Sequence, residues 1–115
     1  MKMLHVTIQT DKFEQEMLFY QNIIGLQMMR DMRPGRNMVF MADKEGDTEI
    51  EIIENPDGTN AGNAFLSIGF RVPDVSAKRE ELIALGLEVT EIISPNPQVY
   101  FFYAKDPAGV RIQFI

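Results

Sequence analysis

The 115-residue chain is 45% hydrophobic and 24% charged, the balance of one ordinary globular domain. Its formal net charge of -6 argues against nucleic acid or an anionic membrane as partner, because phosphate binding needs clustered Lys and Arg, and leaves a neutral or cationic small molecule as the compatible ligand. There are no cysteines, which excludes disulfides, thiolate metal ligands and cysteine nucleophiles together, and His5 is the single histidine.

Leu4, Val6 and Ile8 alternate with Met3, His5 and Thr7, which predicts an opening strand with one apolar and one mixed face. His5 lies on the mixed face. Asp11 then reads as a helix cap with Glu14 as its capping-box partner, and Phe13, Met17, Tyr20 and Ile24 recur at helical spacing up to the stop at Gly25. Strands are predicted over 26–31 and 37–42 around the turn at Pro34-Gly35, and over 48–54 after Gly46-Asp47. Pro34-Gly35-Arg36 reads as either a lid or a plain turn.

A polar, glycine-bearing connector over 55–63 precedes a second round of the same order. Leu66, Ile68 and Phe70 alternate along a strand opposite Phe65, Ser67 and Gly69. Asp74 caps a second helix with Val75, Leu82 and Leu85 on one side and Gly86 as its end. Three more strands are expected over 87–92, 98–103 and 110–115, the last two joined by Asp106-Pro107-Ala108-Gly109. His5 and Glu51 are 46 residues apart, as are Ser67 and Gln113, and the second pair follows the first by 62. A period near 62 predicts an α+β fold of two tandem βαβββ modules, 1–54 and 64–115. If the helices cover the apolar faces, the curled antiparallel sheets enclose a cleft with helices outside, and His5, Glu51, Ser67 and Gln113 point into it.

These segments resemble the vicinal oxygen chelate superfamily, which groups glyoxalases, bleomycin-resistance proteins and extradiol dioxygenases. The resemblance rests on the His5 strand, Phe19 to Leu26, Ile50-Glu51-Ile52, Phe65 to Phe70 and Asp106 to Gln113, and so covers nearly the whole chain. It implies a homodimer and one divalent metal (Ni, Zn, Co, Mn or Fe), with ligands from the first and last strand of each module. Here those are His5, Glu51 and Gln113, with Ser67 where a histidine is usual and Gln113 where a glutamate is usual.

An imidazole and a carboxylate are good divalent-metal donors, an amide oxygen is a neutral one, and a serine hydroxyl adds little unless ionised. His5 and Glu51 therefore read equally as a weak metal site or as a charge-assisted pair. Two function classes follow. One is a glyoxalase-like lyase or isomerase with Glu51 as catalytic base. The other is a metal-free binder of a small organic molecule, with Ser67 and Arg111 as polar contacts and Tyr100 and Phe102 as aromatic wall. Core packing is the alternative for at least two of the four aromatics at 100–103, and an ion pair with an acid is the alternative for Arg111. All 8 methionines fall within the first 41 residues, as core filler or as an adaptable contact surface. With no signal-peptide pattern and no stretch of about 18 apolar residues, the chain reads as cytoplasmic and free of membrane.

Overall fold

A computed structural model describes residues 1–58 and 66–115. The connector residues Thr59 to Asn63, the expected module start at 64 and Phe65 lie outside the described residues. The chain divides into two compact units, Met1–Ala61 and Gly62–Ile115.

The first unit carries β1 (His5–Thr10), α1 (Phe13–Leu18), β2 (Gln27–Asp31), β3 (Met38–Ala42) and β4 (Glu49–Glu54). Its sheet has the order β1-β4-β3-β2. The outer strand β1 runs parallel to β4, whereas β4, β3 and β2 alternate in direction, so the sheet is mixed where a wholly antiparallel one was expected. The reason is topological: the chain leaves β1 through a helix, and a crossover of that kind delivers a later strand alongside in the same sense. Ile8, Ile50, Ile52, Val39 and Met41 are buried on one face, against which α1 packs.

Asp11 does not cap α1. The cap position is Lys12, which makes no side-chain capping hydrogen bond, and the Thr10 hydroxyl accepts the Lys12 N–H at 3.0 Å in the turn before the helix. After Leu18 the helix widens into a π-helical segment, Phe19–Ile24, which ends at Gly25 with φ 88°. That widening lets the neighbours Phe19 and Tyr20 both be buried, beyond what the 13-17-20-24 spacing foresees. The Pro34-Gly35-Arg36 segment belongs to the β2–β3 turn, where Arg36 N–H donates to the Met32 carbonyl and the Arg33 side chain closes on Asp31 at 2.7 Å.

The second unit carries β5 (Ser67–Phe70), α2 (Val75–Ala84), β6 (Ile93–Asn96), β7 (Val99–Lys105) and β8 (Arg111–Phe114), with sheet order β5-β8-β7-β6. Again the first and last strands are parallel. Asp74 caps α2 as expected, its carboxylate accepting the Ala77 N–H at 3.0 Å. Leu82 is fully buried, but Leu85 falls beyond the last helical turn and is exposed. The strand expected over 87–92 is displaced: Val89 makes only an isolated bridge to Ala104, and the regular strand is Ile93–Asn96. Pro95 sits within it because β6 is an edge strand, where a missing N–H breaks no ladder.

Register confirms the repeat. His5 faces Glu49 and Thr7 faces Glu51 in the first unit, while Ser67 faces Arg111 and Gly69 faces Gln113 in the second, each pair displaced by 62.

Candidate functional site

In the first unit, strand alternation puts His5, Thr7, Glu49, Glu51, Phe40 and Arg30 on the face opposite the buried isoleucines. Thr7, Glu51, Phe40 and Arg30 form one row across four strands. The Glu51 side chain is only 9% exposed. The Thr7 hydroxyl donates to Glu51 Oε1 at 2.5 Å and is the sole hydrogen-bond donor to that carboxylate among the described residues. His5 lies diagonally across, its Nε2 3.8 Å from the same oxygen, with 40% of its side chain exposed. That distance is electrostatic contact and too long for a hydrogen bond. Sequence reasoning therefore placed the His5–Glu51 pair but missed Thr7, whose signal was the two-residue offset that the β1–β4 register imposes.

Phe40 borders the pair. The His5 ring meets it edge-on at 6.0 Å, and the Arg30 guanidinium carbon lies 3.7 Å from its ring centroid. Arg30 also donates to Glu49 at 2.9 Å, so Glu49 is tied into the same face.

In the second unit, Ser67 and Gln113 take the diagonal relation that His5 and Glu51 have in the first. Gln113 faces Gly69 on one side and Tyr103 on the other. A Cβ at Gly69 would come within 3.1 Å of Gln113 Oε1, so the bare glycine makes room for the carboxamide. Arg111 shares this face and its guanidinium carbon is 4.2 Å from the Tyr103 ring centroid.

The aromatic wall expected at Tyr100 and Phe102 lies on the other face. Phe102 is fully buried and stacks on Phe114 at 4.9 Å and 15°, and Tyr100 is 51% exposed. The residues that accompany Gln113 are Phe101 and Tyr103, whose rings meet edge-on at 5.7 Å. Asp106 is structural: its carboxylate accepts the Val110 N–H at 2.8 Å and holds the β7–β8 turn, in which Gly109 has φ 92°.

The donor set fits a divalent ion poorly. Among the described residues no three His, Asp or Glu side chains form a metal-holding group. The first unit offers one imidazole and one carboxylate whose Oε1 already accepts from Thr7, and the matching positions in the second unit are a neutral amide and a hydroxyl. Catalytic sites for such ions ordinarily take three good protein donors.

The sequence profile of the Glyoxalase/Bleomycin resistance protein/Dioxygenase superfamily matches residues 2–114. A lactoylglutathione lyase of Neisseria meningitidis is 28% identical over 124 aligned positions, covering 100% of this chain and 90% of that protein. Among solved structures, the trypanothione-dependent glyoxalase I of Leishmania major has a TM-score of 0.78 at 20% identity, covering 100% of this chain and 86% of that one. TnmS3, an antibiotic binding protein from a Streptomyces species, has a TM-score of 0.77 at 19% identity, covering 99% and 93%. At those identities the two structures speak for the fold alone. With two βαβββ units in matched register and a family match spanning nearly every residue, the chain belongs to the Glyoxalase/Bleomycin resistance protein/Dioxygenase superfamily.

Proposed function

We propose that this superfamily member binds a small oxygenated organic molecule without a metal, on the polar face of the first unit's sheet, with Glu51 as anchor. The observation that carries the reading is the buried Glu51 carboxylate, held by the Thr7 hydroxyl and lying 3.8 Å from His5. An ionised carboxylate has about four lone-pair sites, and burying it is costly unless those sites are supplied. A ligand hydroxyl or amine donating to Glu51 supplies what Thr7 alone does not, while the exposed imidazole of His5 pairs with a second ligand oxygen. Phe40, flanked by Arg30, gives the apolar contact such ligands need. Ser67, Gln113 and Arg111 are the corresponding polar set of the second unit.

The lactoylglutathione lyase relatives, aligned over the whole chain, favour a second reading as a lyase or isomerase. In that case Glu51 is the base that takes the proton beside a substrate carbonyl and returns it to the neighbouring carbon. The donor set described above does not match the divalent ion expected at His5, Glu51 and Gln113.

We also read the chain as a cytoplasmic homodimer working as one functional domain of modules 1–54 and 64–115. The exposed outer strand β1, preceded by exposed Met3 and Leu4, supports association, and sedimentation equilibrium tests it. Among the described residues no helix is long and apolar enough to cross a membrane.

The test is a thermal-shift screen of hydroxylated and carbonyl compounds with and without EDTA, followed by calorimetry on wild type, Glu51→Gln and Thr7→Val. The reading expects binding that is indifferent to EDTA and weakened at least about tenfold in Glu51→Gln, since hydrogen bonds to charged groups contribute about 1.5–3 kcal/mol. Loss of binding in EDTA, or full retention in Glu51→Gln, would overturn it.

A further inference from the structure

The sheet face that carries Glu51 changes character from one side of the anchor to the other. On one side it is charged: His5 stands opposite Glu49, and Glu49 is ion-paired with Arg30 at 2.9 Å. On the other side it is apolar. Ile53 follows Glu51 by two residues on β4, Met38 precedes Phe40 by two on β3, and Ile53 and Met38 are direct cross-strand partners. Met32, just past the end of β2, donates its N–H to the Met38 carbonyl at 3.0 Å and so continues the row. Resting on the reading of Glu51 as anchor, we propose that the ligand is an amphiphile, with its polar head at Glu51 and His5 and an apolar substituent laid over Ile53, Met38 and Met32.

Exposure favours this strip over the Phe40 ring. Phe40 is 5% exposed, with the Arg30 guanidinium carbon 3.7 Å from its centroid, so little of the ring is open to a ligand. Ile53 and Met38 are half-buried and Met32 is 48% exposed. Residues two apart on a strand share a face, and at a rise of about 3.3 Å per residue the strip lies about 6.6 Å from the row that holds Glu51. That separation is within reach of a butyl chain or a phenyl ring attached to a head group at Glu51.

The other directions are closed to an apolar group. Towards His5 and Glu49 it would cover the Arg30–Glu49 ion pair, and taking charges out of water is costly. Towards the outer edge of β1 the strip ends at Gln9, which faces Ile53 and whose carboxamide oxygen accepts from the Asn55 side chain at 2.9 Å. Methionine suits the role, because its unbranched, polarisable side chain repacks around different apolar shapes. The methionine-rich first third of the chain therefore serves two ends: Met17 and Met41 are buried in the core, and Met38 and Met32 line the ligand face.

Chemical-shift titration of the full chain, labelled with ¹⁵N and with ¹³C at the methionine methyls, compares 1,2-ethanediol, 1,2-butanediol, 1,2-hexanediol and 1,2,6-hexanetriol. Each methylene taken out of water strengthens binding about fourfold, so 1,2-hexanediol is expected to bind at least about tenfold more tightly than 1,2-ethanediol, and the triol to lose most of that gain. The Met38 and Met32 methyls should shift on titration, and the buried Met17 and Met41 methyls should not. Met38→Gln and Ile53→Thr, each checked for folding by circular dichroism, should reduce the preference for 1,2-hexanediol to under about threefold. Binding that is lost in Glu51→Gln but indifferent to chain length, or a preference unchanged in both strip variants, would overturn the proposal and leave the anchor standing. No saturable binding of any diol, or a preference that survives in Glu51→Gln, would overturn the anchor and the proposal with it. A changed oligomeric state of Met38→Gln in sedimentation equilibrium, with the preference for 1,2-hexanediol intact, would assign the strip to a second copy of the chain and overturn its ligand role.

Discussion

Replacing Phe102 by Ala tests the face assignment of β7, on which the second unit's polar surface depends. Phe102 is fully buried and stacks on Phe114 at 4.9 Å, so the substitution removes a whole ring from the core and strands its partner. Phe→Ala in a core costs about 3–5 kcal/mol, and a domain's entire stability is only about 5–15 kcal/mol. Phe101, one residue earlier, is half-buried on the opposite face beside Tyr103, and its removal should cost about 1–2 kcal/mol from lost apolar burial. With a urea slope of about 1.5 kcal/mol per M, a 4 kcal/mol loss lowers the midpoint by about 2–3 M, and a 1 kcal/mol loss by under about 1 M. Urea denaturation followed by circular dichroism on both variants reads the difference. Equal midpoint shifts for Phe101→Ala and Phe102→Ala would refute the alternation that puts Tyr103 and Gln113 on one face.

Three further outcomes follow from local geometry. Asp74→Ala should cost about 1 kcal/mol in urea denaturation, because the carboxylate that accepts the Ala77 N–H is lost from the start of α2, and Asp74→Asn should recover most of it. Gly58→Ala should be destabilising by about 1–3 kcal/mol, since an added Cβ would lie 2.9 Å from the Gln9 carbonyl oxygen, a backbone atom that cannot swing aside; a neutral result would contradict the close approach. The Asp31 carboxyl is held at about 2, below its ordinary 3.8, by hydrogen bonds from the Arg33 side chain and then its backbone N–H. A depressed value means that this contact contributes above about pH 3.8 and is lost as pH falls through about 2. Carboxyl ¹³C titration should place the Asp31 midpoint near 2 in wild type and return it towards the ordinary range in Arg33→Ala.

The features legible in the sequence were those fixed by period and punctuation. The displacement of 62 between His5 and Ser67 reappears in the strand register of both units, and Asp74, Gly25 and Gly86 cap or end their elements as their residue types require. What stayed hidden depends on neighbours distant in the chain. Alternation divides Tyr100-Phe101-Phe102-Tyr103 into two faces, but only the pairing of Tyr103 with Gln113 says which face is polar. Thr7 was invisible for the same reason: it meets Glu51 only because the parallel β1–β4 register sets residue 7, and not residue 5, opposite residue 51. The strand expected over 87–92 forms instead at Ile93–Asn96, where the edge position of β6 tolerates Pro95. At the start of α1, Thr10 and Asp11 are both plausible partners for free N–H groups, and composition does not rank them.

We propose that the His5–Glu51 pair, braced by Thr7, anchors an organic ligand and does not hold a metal. Elemental analysis of tag-free protein, followed by calorimetric titration with Ni, Zn, Co, Mn and Fe(II) on wild type and His5→Ala, tests it most directly. The expected result is no stoichiometric metal in the purified protein and no saturable binding that differs between the two chains. One metal per chain, retained through purification and lost in His5→Ala, would contradict it and restore the lyase or isomerase reading.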